Sequence, residues 1–331
     1  MIATYRPATA FGLVTIYAVL SEANGVVAGN LLQHIDIAAF TFLSFVAVVT
    51  INFGSGLFLS DGRGATGGHP APTLWSRPMI ALNLTTAISW ILMYVAYANM
   101  EPAAATALMC AVGPLASLRH DQFGGPDGQA MRQITVFGFT LGCAVLLYGS
   151  LAGQSAVPSF DAARTALGCA AAIGCGYFMN SMAVHIKRLS NRQLTPRQIT
   201  MHRFYLLLAL TGTVAWFDGS LITTATRFGV TIGLLALCGI VFPLSLVVRG
   251  IAIGSPFLTM IAMASAPVDC VLLQLFDNRL TTSPISIAGI VIVFAISLLS
   301  ACAVLRPASI RAALAWTRAR VAIYRQPLGS N

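Results

Sequence analysis

The chain has 331 residues, of which 57% are hydrophobic and only 9% are charged. Soluble domains carry about one quarter charged residues, so this composition excludes a soluble globular protein and indicates a chain embedded in a bilayer. The net charge of +9 would suit a nucleic-acid partner, but the basic residues are spread between apolar runs. We therefore expect a membrane protein with no nucleic-acid partner.

Apolar runs fill the sequence. A membrane-spanning helix needs roughly 20 mostly apolar residues, and the chain supplies about ten such runs. We predict spans over residues 8–29, 37–59, 78–99, 102–118, 133–151, 165–185, 198–217, 228–248, 255–275 and 284–305. The predicted fold class is therefore an all-α integral membrane protein with ten transmembrane helices.

The basic residues predict the orientation of these helices. With a cytoplasmic N-terminus, only Arg164, Arg227 and Arg279 fall outside, Arg203 lies within a span, and the other basic residues fall inside. A bias of this size fixes orientation by the positive-inside rule. We expect a multi-pass protein of the inner (plasma) membrane with both termini in the cytoplasm.

Two passages of the sequence share one pattern. In Ile88–Leu118 and Gly239–Leu273, two apolar runs meet at a very short joint. Each second run is interrupted by a proline, Pro114 in one passage and Pro267 in the other. Paired, proline-interrupted apolar segments in corresponding halves are typical of transporters built from repeats, whose site lies where the broken helices meet.

Further local likeness indicates a duplication of five helices. YAVLS at Tyr17–Ser21 matches YFMNS at Tyr177–Ser181, and Phe45 and Phe204 fall one residue out of that offset. Because five is odd, the second copy would enter the membrane with the opposite orientation. The predicted divisions are a first repeat over 1–151, a second, inverted repeat over 165–305 and a tail over 306–331.

The tail is too polar to span a bilayer. Arg311, Arg318 and Arg325 recur every seven residues, with apolar side chains largely elsewhere. This pattern predicts either a basic amphipathic helix on the anionic lipids of the inner leaflet or a disordered basic tail.

Glu22 and Asp269 are the carboxylates that fall clearly inside predicted spans. Counting about 1.5 Å per residue, both lie slightly past the midplane and could face one cavity. An ionisable group in hydrocarbon needs a partner, a cavity or a role, and burial favours its neutral form. Either carboxyl could carry a proton during transport, or Ser21 and Asn24 could simply satisfy Glu22 within its helix.

Arg203 and Arg249 lie near the cytoplasmic ends of the seventh and eighth predicted spans. Their long side chains could extend to the interface. Alternatively, Arg249 could capture an anionic group of a substrate at the inner mouth of the cavity.

Three aromatic residues of the third span share one helical face: Trp90, Tyr94 and Tyr97. Aromatic residues of membrane helices often pack or form interfacial belts, but Trp90 and Tyr94 should lie near mid-membrane. With Tyr177 and Asn180 facing them from the sixth span, they could form the wall of a mostly apolar pocket.

Together with the ten-helix plan and the short joints, the stretch YANMEPAAATALMCAVGPL at Tyr97–Leu115 resembles the drug/metabolite transporter superfamily, in its EamA-like branch. The resemblance extends over roughly residues 8 to 305. It implies a central cavity lined by the first, third, fourth, sixth, eighth and ninth helices. Two departures are an arginine absent from the second helix, where Arg203 holds the corresponding place in the second repeat, and Phe276–Asn278 in place of a glycine-glutamate pair.

These observations predict a secondary active transporter that exports a small organic metabolite by alternating access, with protons as a candidate coupling ion. The resemblance and the aromatic face favour an amino acid or an aromatic or amphipathic compound. An exchanger of nucleotide sugars or phosphorylated metabolites is an alternative, less favoured because few cations lie at mid-membrane depth.

Two other classes remain open. An integral membrane enzyme, such as a lipid-modifying transferase, would need a cluster of carboxylates or histidines at one membrane face, and the sequence offers none. A non-transporting subunit could bind a partner through glycine-lined helices such as the Gly25–Gly29 face. The seven cysteines show no metal-binding spacing, and we expect neither a cofactor nor a metal.

Overall fold

The structure, a computed structural model, describes residues 6–58, 76–117, 126–152, 161–192, 194–276 and 283–305. Every regular element in these ranges is helical. Eight segments of the described chain are long and apolar enough to cross a bilayer. The protein is therefore an all-α, multi-pass membrane protein. The basic tail lies outside the described residues.

The helices follow one another with short joints. They are α1 (Pro7–Leu31), α2 (Ile37–Phe58), α3 (Arg77–Asn99), α4 (Pro102–Ser117), α5 (Pro126–Leu151), α6 (Ala162–Asn191), α7 (Pro196–His202), α8 (Tyr205–Phe217), α9 (Ser220–Leu235), a π-helical segment (Ala236–Val241), α10 (Phe242–Ile253), α11 (Pro256–Met263), α12 (Ala266–Gln274) and α13 (Pro284–Leu305).

Prolines and capping side chains define many of the helix starts. Proline suits the first helical position, where its missing N–H would lack an intrahelical partner anyway. At α7, Thr195 and Gln198 form a reciprocal capping box, and at α11 the Ser255 hydroxyl accepts from the Leu258 N–H at 3.2 Å. The sequence thus specifies where the chain enters several of its helices.

Two predicted spans are broken in the structure. Residues 198–217 form two helices, because α7 ends at His202 and the 13-residue α8 begins at Tyr205. Residues 255–275 are divided at Ala264 and Ser265, so that α12 begins just before Pro267. Helix ends therefore lie inside the bundle at both positions.

The predicted interruption at Pro114 is wrong. Helix α4 continues through Pro114 and ends at Ser117, whose hydroxyl donates to the Pro114 carbonyl at 2.8 Å. A single proline removes one backbone hydrogen bond, and neighbouring helices and hydroxyl side chains can compensate for this inside a membrane bundle. The prolines of the two similar passages thus have different structural effects.

The eighth predicted span is longer than expected. Helix α9, the π segment and α10 form one continuous apolar segment of 34 residues, Ser220–Ile253. A π segment is a widened turn with i to i+5 hydrogen bonds and often lies at a functional site. Here it places Gly239 and Ile240 in the wall of the cavity described below.

The helices pack in reciprocal pairs. Helix α1 packs against α10, α11 and α12, while α6 packs against α3 and α4. Helix α5 packs against α13, and α2 packs against α8. The core between these pairs contains tightly packed aromatic side chains such as Phe40, Phe45 and Phe204.

Several helix contacts depend on glycine. A methyl group added at Gly25 of α1 would lie 3.1 Å from the Tyr97 hydroxyl, and one at Gly29 would lie 3.0 Å from the ring of Pro102. Close approach of this kind is the usual use of small residues in membrane helices. The Gly25–Gly29 face therefore packs against α3 and α4 of the same chain.

Contacts between elements identify the two ends of the bundle. At the end where α1 begins, the Arg6 N–H donates to the Ile253 carbonyl at 3.0 Å and the Lys187 ammonium donates to the Ala252 carbonyl at 2.8 Å. At the far end, the Ser220 hydroxyl donates to Asp36 at 3.3 Å. Both ends are tied by hydrogen bonds, and the cavity lies between them.

Candidate functional site

Two adjoining cavities lie inside the bundle. The first has a volume of about 40 Å³ and the second of about 30 Å³. They share six lining residues: Tyr17, Trp90, Met93, Met179, Leu244 and Met263. Both halves of the chain therefore contribute to a single internal site, with side chains from α1, α3, α4, α6, the π segment, α10 and α11.

Glu22 lines the first cavity and is held by hydrogen bonds. It is buried in α1, and its Oε2 accepts a hydrogen bond from the Thr106 hydroxyl at 3.1 Å. The Thr106 oxygen lies 3.1 Å from the Tyr97 hydroxyl, which can therefore donate to it. The thiol of Cys270 is a further partner of the carboxyl. Four helices thus hold Glu22 in place: α1, α3, α4 and α12.

Asn24 lies beside Glu22 in the same cavity wall and presents an unused acceptor. Its side-chain Oδ1 is buried and has no hydrogen-bond partner within the described ranges. The side chain packs against Gly239 of the π segment, where an added methyl group would lie only 2.4 Å from the Asn24 Cβ. Because buried polar groups are normally paired, this oxygen is a candidate contact for a ligand.

Arg203 lines the second cavity, and the structure overturns the expectation that it extends to the interface. Its side chain is 0% exposed. It follows the end of α7, where the chain breaks before α8. Its Nε, Nη1 and Nη2 atoms have no hydrogen-bond partner among the described residues. The guanidinium carbon lies 4.8 Å from the centre of the Phe204 ring, and this cation–π contact leaves all five N–H donors unused.

An aromatic cluster supports the Arg203 side of the site. The rings of Phe45 and Phe204 are 4.8 Å apart, and Phe45 meets Trp90 at 4.7 Å. Trp90 packs on Tyr94, which meets Phe40 edge to face at 5.1 Å. This cluster links α2 and α3 to the break before α8, so the position of Arg203 is fixed by packing on its aromatic side.

The predicted aromatic face is partly in the cavity. Trp90 and Tyr97 line it, whereas Tyr94 is fully buried behind them against Phe40, with its hydroxyl unpartnered. Tyr177 is 49% exposed on α6 and packs edge to face on Phe178. Asn180 is buried with an unpartnered Oδ1. Helix α6 contributes Met179 and Met182 to the cavity walls in place of Tyr177.

Two other predicted residues lie at the margin of the site. Arg249 is exposed on α10. Asp269 is half-buried on α12, one residue before Cys270. The structure thus brings Glu22, Asn24, Trp90 and Tyr97 together, and it replaces Arg249 by Arg203 as the cation of the cavity.

Sequence reasoning missed a second buried carboxyl, Glu101, at the joint between α3 and α4. Glu101 is 1% exposed and accepts from the Ser286 hydroxyl at 3.3 Å. With the Gln274 amide turned so that both of its polar atoms find partners, it donates to the Glu101 Oε1 at 3.2 Å and accepts from the Ala103 N–H at 3.1 Å. A carboxylate before the proline of a very short joint between two apolar runs was the available signal, since such a joint has little room to reach water.

Methionines dominate the flexible part of the walls. Six of the 11 methionines line one cavity or both: Met93, Met109, Met179, Met182, Met260 and Met263. A water molecule needs about 10–15 Å³ of cavity volume. The two cavities, of about 40 and 30 Å³, therefore have room for only a few waters each. Methionine is unbranched and adaptable, so these walls can rearrange around a larger guest.

Comparison with known proteins bears on the fold. The sequence matches no protein-family profile and no curated protein. A solved structure described only as "Crystal structure of protein" superposes with a TM-score of 0.61 at 17% identity, covering 90% of this chain and 98% of that chain. At this identity the likeness concerns the fold alone.

Proposed function

We propose that the protein is a secondary active transporter of the drug/metabolite transporter kind, which exports a small organic metabolite across the inner membrane by alternating access. The favoured cargo is an amino acid or an aromatic or amphipathic compound. The observation that carries the proposal is the internal cavity, which is lined by both halves of the chain and contains a buried carboxyl, Glu22.

Reciprocal helix packing supports two inverted five-helix repeats. If the repeats begin at α1 and α6, each first helix packs on the third and fourth helices of the other repeat. The last helices, α5 and α13, pack on each other, as do the second helices, α2 and α8. Phe45 and Phe204, which the sequence comparison aligns to within one residue, are in contact at 4.8 Å. These relations are those expected of a pseudo-two-fold axis.

The position of the cavity supports transport. It is lined by α1, α3, α4, α6, α10 and α11, the helices that the family resemblance implies. In repeat-built transporters the substrate lies near the midplane, between the repeats, and one repeat rocks against the other around it. Hydrogen bonds tie the bundle at both ends, and such contacts would have to open alternately.

We also propose that Glu22 carries a proton during transport. A buried carboxyl favours its neutral form, and ionisation becomes easier when the cavity opens to water. Thr106 and Tyr97 connect the carboxyl to α3 and α4 through two hydrogen bonds, so a change in its protonation would alter contacts between helices of the first repeat and α1.

The test is uptake into proteoliposomes under an imposed pH gradient, first with a panel of labelled amino acids and aromatic acids. We expect accumulation driven by the gradient in the wild type and a loss of at least about tenfold in Glu22→Gln. Glu101→Gln is the matched control, because Glu101 is an equally buried carboxyl outside the cavity. Equal gradient-driven uptake in the wild type and Glu22→Gln would contradict proton coupling through Glu22.

An exchanger of phosphorylated metabolites is the second candidate, because a buried cation, Arg203, lines the cavity. This candidate predicts that phosphate esters exchange across the membrane without a pH gradient. The same proteoliposomes can measure that exchange. An enzyme would form a product without translocation, and a subunit without transport activity would move none of these compounds.

A further inference from the structure

The polar groups of the two adjoining cavities are arranged in a complementary way. At one end are three guanidinium nitrogens of Arg203 that donate to no acceptor in the described part of the chain. At the other end are the Glu22 carboxyl and the unpartnered Asn24 Oδ1, both acceptors when Glu22 is ionised. Tyr17 lines both cavities and so lies between the two ends.

We propose that Arg203 is the anion-binding residue of the cavity and that its ligand is the carboxylate of a small organic acid. This proposal rests on the transport function proposed above and assigns to it a substrate class. Planar guanidinium donors match a carboxylate in a bidentate geometry. The ligand would direct its carboxylate toward Arg203 and its apolar body along Trp90 and the methionine-lined walls.

Arg203 has no hydrogen-bond partner within the described chain. An ionised side chain in hydrocarbon is costly, and such groups normally pair or face a cavity. Arg203 is fully buried, its nitrogens are unpaired, and it lines an internal cavity. A bound anion would therefore supply hydrogen bonds that the folded chain leaves unmade.

The charge of the site favours a carboxylate over a phosphate ester. One guanidinium compensates one negative charge. A dianionic phosphate would retain an uncompensated charge in the same low-dielectric space as the Glu22 carboxyl, and unpaired charge there is unfavourable. When Glu22 is in its neutral form, a carboxylate leaves no such excess. An ammonium group on the same ligand could also donate hydrogen bonds to Glu22 and to the Asn24 Oδ1.

The experiment is thermal unfolding of the purified protein in detergent, in chloride-free buffer, with matched ligands. The acids are 3-phenylpropionate and 4-methylpentanoate, and each is compared with its own neutral amide. Phenyl phosphate and sodium chloride test the other anions. We expect the acids to raise the melting temperature in a saturable manner, with amides at least about tenfold weaker, because a hydrogen bond between two charged groups is stronger than one to a neutral amide.

The variant Arg203→Met removes the charge with an apolar chain of similar length. We expect it to lose the stabilisation by both acids, while its ligand-free melting temperature equals or exceeds that of the wild type, since an unpaired buried charge has been removed. Arg203→Lys keeps the charge without the planar fork, so it should retain weakened binding. Arg188→Met, which changes an exposed arginine of α6, should bind the acids as the wild type does.

Several results would overturn the proposal. The first two are that Arg203→Met keeps the full acid-dependent rise in melting temperature, or that neither acid stabilises the wild type. The other two are that the acids and their amides stabilise the protein equally, or that phenyl phosphate or chloride binds as well as the acids do. The transport proposal is tested separately. Gradient-driven uptake of an uncharged compound together with failure here would refute only the carboxylate site, whereas acid binding without translocation would refute only the carrier.

Discussion

The two ends of the cavity contain ionisable groups that are equally buried but differently partnered. Glu22 accepts from Thr106 and has Cys270 beside it, whereas the guanidinium of Arg203 has no acceptor in the ranges that the structure describes. A partnered group in a low-dielectric interior is held in one position by the protein, while an unpartnered one is stabilised when a ligand arrives. This difference supports the two proposals made above, that the protein controls protonation at the Glu22 end and that a ligand binds at the Arg203 end.

The local backbone explains part of this difference. Glu22 lies in the regular helix α1, where neighbouring helices present hydroxyl and thiol groups to it. Arg203 lies at the break between α7 and α8, against the ring of Phe204, which in turn packs on Phe45. Aromatic faces attract a cation but accept no strong hydrogen bond. The break thus exposes a charge to the cavity without supplying a counter-ion.

Removing the donor at the Glu22 end should make it resemble the Arg203 end. Thr106→Val keeps the shape of the side chain but leaves Glu22 Oε2 without the 3.1 Å hydrogen bond. We expect a loss of about 2–3 kcal/mol in the free energy of unfolding, measured by denaturant unfolding in mixed micelles. Thr85→Val, at another buried threonine whose hydroxyl donates within its own helix, is the control. An unchanged free energy in Thr106→Val would contradict the claim that Glu22 depends on this donor.

Crowding the wall behind Asn24 should disturb the acceptor end without touching a charge. In Gly239→Ala the new methyl group would lie 2.4 Å from the Asn24 Cβ, so Asn24 or the π segment must shift. Overpacking of this kind costs about 1–3 kcal/mol, and we expect about 2, measured by thermal unfolding. Gly229→Ala should be tolerated, because Gly229 has nothing within 4 Å of an added methyl group. Equal stability of both variants would show that the wall is not tightly packed.

The smallest effect is expected at Tyr97, the outermost of the three side chains linked by hydrogen bonds to Glu22. Tyr97→Phe removes the hydroxyl that lies 3.1 Å from Thr106 and leaves Glu22 its direct donor. The expected loss is about 1 kcal/mol, typical of one neutral hydrogen bond, with gradient-driven uptake reduced only slightly. A loss as large as that of Thr106→Val would mean that the three side chains act as one unit, which a double-mutant cycle with Thr106→Val would reveal.

Much of the helical framework could be predicted from the sequence, because apolar runs and prolines at joints are local signals. The joints before Pro102 and Pro256 were predicted in this way. The break at Arg203 was not, because the apolar pattern of the seventh span continues through it. The predicted depth of Arg203 in the membrane therefore assumes a straight helix that the chain does not form.

The orientation of side chains was harder to predict than the position of helices. Residues 166–179 of α6 are all apolar or small, so the sequence does not determine which face of this stretch meets the cavity. Tyr177 was expected there, yet it is exposed, and Met179 and Met182 line the walls instead. Glu22 and Asn24 were identified because polar residues are rare in α1, and their position in one helix left few alternatives.

Counterflow of labelled 3-phenylpropionate in proteoliposomes without a pH gradient tests directly whether Arg203 holds the transported anion. The wild type, Glu22→Gln and Arg203→Met are compared at equal protein density. We expect Glu22→Gln to exchange at a rate close to that of the wild type, because exchange needs no net proton movement, and Arg203→Met to show no exchange above empty vesicles. Exchange by Arg203→Met at the wild-type rate would contradict the central claim that Arg203 holds the transported anion.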